Sequence, residues 1–198
     1  STPAAAPNDS REVMSYNDVP PAPEISYTTD TVPQVEGIHI ILDAGHGGSD
    51  PGAMHEEIME KGLNLALTLL VKARLEAAGH RVSLTRDSDV FIPLEERAEI
   101  ANSSGADILV SIHHNSYDKD HILGIETYYN SKRGSANKCL AEAIQAKLAQ
   151  GYVDRGAQDK PALIVLKGAQ LPACLVEVGF LSNEVDRARL LSTEGQEE

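Results

Sequence analysis

The chain has 198 residues, a formal net charge of −13 and no tryptophan. This length suits one globular domain with an appendage, and the acidic charge excludes the basic surface that nucleic-acid binding requires. No apolar run is long enough to span a bilayer, and no signal peptide is recognisable. We therefore expect no transmembrane span here, and we expect any signal or anchor segment to lie outside this chain.

Residues 1–36 differ from the rest of the chain. They hold six of the ten prolines, and six acidic residues against one basic residue, without apolar periodicity. This composition predicts an extended N-terminal arm in front of a folded domain over residues 37–198. The arm fits a tether, a spacer from another domain or a segment lying across a groove, and the sequence does not choose between these.

From residue 37 onwards, strand-like and helix-like segments alternate. The predicted strands are 37–43, 80–86, 106–112, 124–129, 162–166 and 173–180. The predicted helices are 60–79, 93–104, 136–150 and 183–191, the last with Asn183 as its N-cap. Such alternation predicts one α/β domain with a mostly parallel twisted sheet and helices on both faces.

The two cysteines carry little chemical information. Cys174 lies in the apolar run PACLVEVGF and is predicted to be a core residue, whereas Cys139 lies in a helical stretch. The sequence does not decide whether they form a disulfide. Because no CxxC pair occurs, a zinc site made of cysteines is not expected.

Three polar side chains lie at the ends of predicted strands. His46 follows the first strand within the glycine-rich stretch DAGHGGSDPG, His113 follows ADILVSI, and Glu177 lies near the end of ACLVEVGF. In open α/β sheets ligands bind beyond the carboxyl ends of the strands, so we expect these side chains to share one rim. Two histidines and a carboxylate suit a catalytic zinc site, with Glu60 as the third ligand and Glu177 as the general base.

Each of these features also has a simpler interpretation. A glycine-rich loop after a strand often holds phosphate, but neither GxGxxG nor a GK[ST] ending occurs here. A single histidine after a strand is usually part of the polar surface. Glu56 and Glu57 lie in the same loop as Glu60 and are alternatives to it as the ligand, because composition does not separate the three. Glu177 is less ordinary, because a buried carboxylate is costly unless it is paired or functional.

The remaining histidines are expected to be surface residues or core filler. His114 should point away from its neighbour, because successive side chains alternate along an extended segment. The others in this group are His39, His55, His80 and His121.

At these positions the chain resembles the zinc-dependent N-acetylmuramoyl-L-alanine amidases of bacterial cell walls, of the amidase 3 type. The resemblance covers roughly residues 38–191 and rests on five stretches in the family's order. They are ILDAGHGGSDPGA, MEKGLNLAL, TRDSDVFIPLEERAEIANSSGADILVSIHHNS, GIETYY and LPACLVEVGFLSN.

The resemblance implies a hydrolase that cuts the amide between the lactyl group of N-acetylmuramic acid and the L-alanine of the stem peptide. His46, Glu60 and His113 would hold one zinc ion per chain, with Glu60 chosen over the two earlier glutamates. Glu177 would take a proton from the attacking water and pass it to the leaving amine. The implied partner is peptidoglycan, and the implied location is the periplasm or cell envelope.

Three further residues are predicted to support this site. Asn115 and Arg155 are substrate-contact candidates, although surface packing explains them equally well. Glu126 is a candidate for the second shell around zinc, although a solvated strand glutamate is the simpler interpretation. The short segment between residues 129 and 136 leaves no room for the inserted helix that blocks the site in some relatives, so we expect an open groove.

Two rival functions remain at this point. A zinc peptidase or deacetylase of similar architecture belongs to the same class. A metal-free wall-binding module would keep the fold and lose the chemistry. The presence of His46, Glu60, His113 and Glu177 together favours an enzyme.

Overall fold

The computed structural model describes residues 37–197, so the predicted arm over residues 1–36 lies outside the described residues. Within the described range the strands are β1 (His39–Ala44), β2 (Met54–His55), β3 (Ile58–Met59), β4 (Arg81–Leu84), β5 (Ile108–Asn115), β6 (Ile125–Tyr129), β7 (Asp154–Asp159) and β8 (Ala173–Phe180). The helices are α1 (Glu60–Ala77), α2 (Leu94–Ser103), α3 (Ser135–Leu148), α4 (Ile164–Gly168), α5 (Glu184–Leu191) and α6 (Thr193–Glu197).

Six of these strands form one sheet in the order β4-β1-β5-β8-β6-β7. The neighbours from β4 to β8 pair in parallel, β6 pairs antiparallel with β8, and β7 pairs in parallel with β6. The carboxyl ends of β5 and β8 therefore meet the amino ends of β6 and β7 at one rim. The predicted mostly parallel sheet is confirmed, and the antiparallel pair is an addition to it.

Helices cover both faces of this sheet, as predicted. On one face, Ile41 and Leu109 of the sheet pack against Val165 and Leu166 of α4, together with residues of α2. On the other face, Val176 and its neighbours pack against side chains of α1, α3 and α5. Burial of apolar surface in these two layers is the main favourable contribution to folding.

The predicted strand over residues 162–166 is wrong. Helix α4 occupies Ile164–Gly168, with Val165 and Leu166 buried against the sheet and α2. A short apolar run suits a buried helical turn as well as a buried strand, so its periodicity could not separate the two.

Several short elements were not predicted. Strand β7 has the sequence DRGAQD, which shows no apolar alternation because it is an edge strand with little buried surface. The two-residue strands β2 and β3 form a small hairpin, and α6 is one short turn of helix. These elements bury too little apolar side chain to leave a periodic signal.

Other predictions hold. Asn183 caps α5, because its side chain accepts hydrogen bonds from the backbone N–H groups of Val185 and Asp186. Cys174 is buried and Cys139 is exposed, and both thiols are free. Among the helices in residues 37–197, none has the length and apolar character needed to cross a membrane.

Candidate metal centre and active site

The loop after β1 presents His46 in an unusual backbone conformation. Its φ angle is 60°, in the left-handed region that a residue other than glycine rarely adopts. The ring nitrogen Nδ1 lies 2.8 Å from Asp50 Oδ2, and Nε2 lies 3.1 Å from Glu60 Oε2. A carboxylate bound to one ring nitrogen fixes the orientation of the ring, so that the other nitrogen can bind a metal ion.

Glu60 is the first residue of α1 and is buried between the two histidines. Its Oε1 lies 2.9 Å from His113 Nδ1 and accepts a hydrogen bond from Asn64 Nδ2 at 3.0 Å. Its Oε2 accepts from the backbone N–H of Ala53 at 2.8 Å. Ligand-type atoms of His46, Glu60 and His113 all lie within 4.8 Å of one another. The three predicted metal ligands therefore converge.

The two alternative ligands do not join this cluster. Glu56 and Glu57 form the exposed turn between β2 and β3, whereas Glu60 is buried. Placement on the first turn of a helix, rather than composition, distinguishes the three glutamates.

Two glycines make room for the ligand side chains themselves. A Cβ atom on Gly45 would lie 2.2–2.6 Å from ring atoms of His113. A Cβ on Gly52 would lie 2.5 Å from Glu60 Oε2 and 2.6 Å from His46 Cδ2. The glycine-rich stretch thus lets the three side chains approach one another, a role that was not predicted from the sequence.

Burial and charge give Glu60 and His46 complementary protonation preferences. Burial opposes ionisation of Glu60, but hydrogen bonds from His113 and His46 outweigh it and hold its pKa far below the usual value. Burial also disfavours a charged His46, yet contacts with Glu60 and Asp50 raise its pKa. An ionised carboxylate between two imidazoles is a donor set that suits a divalent cation.

Two arginines hold the loop that carries His46, and neither was predicted from the sequence. Arg97 of α2 is 2% exposed and donates to the carbonyl oxygens of Ala44 at 2.7 Å and His46 at 2.6 Å. It also donates to Asp43 Oδ1 at 2.9 Å. Arg86 donates to the carbonyl oxygens of Ala44 and Gly45. The only signal for Arg97 was its position beside alanines on the buried face of α2.

Glu177 is partly buried and lies on β8 at the rim. Its backbone position pairs with His113 on the neighbouring strand β5 and with Glu126 on the neighbouring strand β6. Its Oε2 is a buried atom that has no hydrogen-bond partner among the described residues. Burial, followed by the nearby carboxylates of Glu60 and Glu126, raises the pKa of Glu177 well above its usual value. A carboxyl group whose pKa is raised in this way favours its protonated form, as is typical of acid–base groups in active sites.

The remaining predicted residues form one network beside Glu177. Glu126 is buried rather than solvated, and its Oε1 accepts from Asn115 Nδ2 at 2.8 Å. Its Oε2 accepts from Arg155 Nε and Gln158 Nε2, both at 2.9 Å. Tyr128 donates its hydroxyl proton to Glu126 Oε1. The hydrogen bonds of Glu126 thus run within this network, and Tyr128 and Gln158 were not predicted.

His114 points away from the rim, as predicted for the neighbour of His113. It is buried, and its Nδ1 lies 2.6 Å from Asn64 Oδ1. Burial lowers the pKa of His114 to about 3, so the ring is neutral. Through Asn64 it supports Glu60 from the second face of the sheet.

Fold and site together define an α/β protein with a candidate metal centre at the rim of a mostly parallel sheet and a buried carboxylate beside it. Residues 40–198 match the family model described as N-acetylmuramoyl-L-alanine amidase, and the chain belongs to this family. The resemblance seen in the sequence is therefore confirmed.

Known relatives are similar over most of the domain. The N-acetylmuramoyl-L-alanine amidase LytC of Bacillus subtilis (strain 168) is 41% identical over 159 residues, which is 79% of this chain but 32% of LytC. The chain thus spans about a third of that relative's length.

Two solved structures share the fold over about nine-tenths of their length. An N-acetylmuramoyl-L-alanine amidase from Clostridium difficile 630 superposes with a TM-score of 0.78 at 32% identity, covering 82% of this chain and 90% of that one. The catalytic domain of CwlV from Bacillus (Paenibacillus) polymyxa var. colistinus gives 0.75 at 36% identity, covering 80% and 89%.

Proposed function

We propose that this domain is a zinc-dependent hydrolase that cleaves the amide bond between N-acetylmuramic acid and the L-alanine of the peptidoglycan stem peptide. The observation that carries the proposal is the convergence of His46, Glu60 and His113 next to the unpaired carboxyl of Glu177. Membership of the amidase family supports the choice of bond and substrate.

The residues present fit one zinc ion. Two imidazole nitrogens and one carboxylate form the three-ligand set of catalytic zinc sites, which keep a further position open. His46 Nε2, Glu60 and His113 Nδ1 would hold the ion, because these atoms face one another. When bound, zinc would supply Lewis-acid polarisation of the scissile carbonyl and of water.

Glu177 would carry the proton of the reaction. With its pKa raised by burial, its carboxylate can take a proton from the attacking water and its carboxyl form can pass that proton to the leaving amine. The buried atom Oε2 of Glu177 has no hydrogen-bond donor among the described residues, which leaves it available for this transfer. Glu126 keeps a second negative charge next to Glu177 and favours the protonated form.

Asn115 and Arg155 are proposed as the groups that position the substrate. Both are hydrogen-bonded to Glu126, so they present a prearranged polar surface along the rim. A short 3-10 turn over Ser131–Arg133 separates β6 from α3, which supports the proposal of an open groove without an inserted blocking helix.

The proposed substrate implies the cellular location. Peptidoglycan lies outside the cytoplasmic membrane, so we propose that the domain acts in the periplasm or cell envelope. The division into an arm over residues 1–36 and a catalytic domain over residues 37–198 remains a prediction.

The test combines metal analysis with product identification. Purified protein should contain about one zinc per chain, and digestion of peptidoglycan should release intact stem peptides with a free N-terminal L-alanine. Glu177→Ala should bind zinc and release none. Glu57→Ala is the matched control, because Glu57 lies in the exposed β2–β3 turn and should retain activity.

The alternatives give different results. Cleavage within the stem peptide would indicate a peptidase, and release of acetate would indicate a deacetylase. Failure to bind zinc when it is supplied would contradict the enzyme proposal and indicate a wall-binding module.

A further inference from the structure

We propose that Arg155 forms a carboxylate subsite, through which the domain recognises a free carboxylate on the second residue of the stem peptide. In peptidoglycan this residue is a D-glutamyl group that carries either a carboxylate or a carboxamide next to the L-alanine. The inference rests on the proposed function and adds a substrate preference to it: the acid form should bind better than the amide form.

The guanidinium of Arg155 is held in place from two sides. Its Nε donates to Glu126 Oε2 at 2.9 Å, and its central carbon lies 5.0 Å from the ring centroid of Phe180. Both partners are themselves buried. Glu126 is fixed in turn by Tyr128 and Gln158. A charged group held in this way loses little conformational freedom when a ligand binds.

The outer edge of the same guanidinium is free. Among residues 37–197, neither Nη1 nor Nη2 of Arg155 has a hydrogen-bond partner, and the side chain is 33% exposed. Two parallel N–H groups form the fork that binds a carboxylate with two hydrogen bonds. A carboxamide offers one acceptor oxygen and presents N–H donors to the fork, so it is a poorer partner.

Other cations near the rim are already engaged. Lys61 Nζ donates to the carbonyl oxygen of Gly48 at 2.8 Å and to Asp89 Oδ2 at 2.7 Å. Arg97 is buried on backbone carbonyls and Asp43. Arg155 therefore differs from them in keeping donors available to a ligand.

The distance along the rim suits the second residue of the stem. Arg155 is on β7, which is two strands from Glu177 on β8, with β6 between them. Two strand spacings amount to about 10 Å. An extended peptide advances about 3.4 Å per residue, so the second side-chain position lies about 7 Å from the scissile amide before its own carboxylate is counted. A stem peptide running from Glu177 towards β7 would bring that carboxylate to Arg155.

Binding of two short peptides tests the assignment directly. The probes are L-alanyl-D-glutamate and L-alanyl-D-isoglutamine, each with its γ-carboxyl group blocked as a methylamide so that they differ only at the α-carboxyl group. They are titrated by calorimetry or NMR into the zinc-loaded full chain. We expect the acid to bind about tenfold more tightly than the amide, the lower end of what bonds to a charged group contribute, because Glu126 already neutralises part of the charge. In Arg155→Gln the ratio of the two dissociation constants should fall to about one.

Lys160→Gln is the matched control. It also removes one positive charge near β7, since Lys160 Nζ lies 5.3 Å from the Tyr128 ring centroid, but it leaves the contact with Glu126 intact. Lys160→Gln should keep the tenfold acid preference. An equal loss of preference in both variants would show general attraction of anions and overturn the assignment to Arg155.

Other outcomes also decide the matter. Equal binding of both peptides by the wild type, or an unchanged ratio in Arg155→Gln, would overturn the subsite. If Arg155→Gln does not fold, Arg155→Lys decides: it keeps the charge without the fork, so a full acid preference there would contradict the proposal. Stem-peptide release from intact peptidoglycan is measured separately, so an acid preference without hydrolysis would count against the proposed function alone.

Discussion

The two sides of the rim use their charged groups in opposite ways. The ligand-loop side comprises residues 43–48 with Arg86 and Arg97, whose donors go to backbone carbonyls and to Asp43. The β6–β7 side comprises Glu126, Tyr128, Arg155 and Gln158. Here the Nη1 and Nη2 groups of Arg155 have no hydrogen-bond partner within residues 37–197. The first side holds the loop of a candidate metal ligand in place, and the second carries the residues that we propose as substrate contacts.

Burial explains the difference between the sides. Asp43 and Arg97 form a fully buried ion pair, in which neither partner can be lost without leaving a charge unpaired. In the ion pair of Arg155 with Glu126, the arginine side chain is 33% exposed and the glutamate side chain is buried. A buried pair rigidifies the loop, whereas a half-exposed pair tolerates an incoming ligand.

The largest expected effect follows from breaking the buried pair. Arg97→Met should lower the free energy of unfolding by about 3–5 kcal/mol, because Asp43 remains buried and charged. Arg155→Met is the control on the other side and should cost clearly less, since its side chain is partly exposed. Urea unfolding of both variants measures the difference. Equal losses would contradict the comparison between the two sides.

The pH dependence sharpens the same prediction. Burial opposes ionisation of Asp43, but Arg97, Ser111 and Thr85 outweigh it and lower its pKa in the folded state. A lowered folded-state pKa contributes stability above the unfolded value of about 4, and that stability is lost as the pH falls through the folded value. Wild type should therefore lose more stability between pH 7 and pH 3 than Asp43→Asn does.

The next largest effect concerns space for His113. Gly45→Ala would place a methyl group 2.2–2.6 Å from ring atoms of His113, so the ring must move away from Glu60. Zinc affinity should fall by more than about 100-fold, beyond the loss that follows from removing a supporting hydrogen bond. Gly79→Ala is the control, because nothing lies within 4 Å of an added Cβ there. Competition with a zinc indicator measures both.

A smaller effect is expected from the group that orients His46. Asp50→Asn weakens the contact with Nδ1 and should reduce zinc affinity by about 10–100-fold. Asp89→Asn is the matched change, because Asp89 binds Lys61 and the backbone of Gly48 rather than a ligand ring. If both variants lose zinc equally, then loop order rather than ring orientation controls metal binding.

The smallest effect should come from the β6–β7 side. Tyr128→Phe removes one of several hydrogen bonds to Glu126 and should cost about 1 kcal/mol in the free energy of unfolding. Zinc affinity should not change, because Tyr128 does not contact a candidate ligand. A loss of zinc affinity comparable with that of Asp50→Asn would show that the two sides are coupled.

Much of this molecule was predictable from short-range patterns. Apolar residues at helical spacing located α1, and a continuous apolar run located β8, because both elements bury a large share of their side chains. The polar residues His46, His113 and Glu177 stood out because each follows or interrupts a buried strand. Two elements were not predicted correctly. The polar edge strand β7 buries too little apolar side chain to show alternation, and the helix α4 is too short for its helical period to be recognised.

The sequence by itself determined the alternation of strands and helices, the family resemblance and the types of side chain at the strand ends, since these depend on local composition and spacing. The resemblance selected Glu60 over Glu56 and Glu57, and the tertiary structure showed that Glu60 meets both histidines. Only the tertiary structure decided that Arg97 holds the loop of His46. It also brought Glu126 beside Glu177, through an antiparallel pairing that no local pattern encodes. Such contacts join residues distant along the chain, so they are set by packing rather than by neighbouring residues.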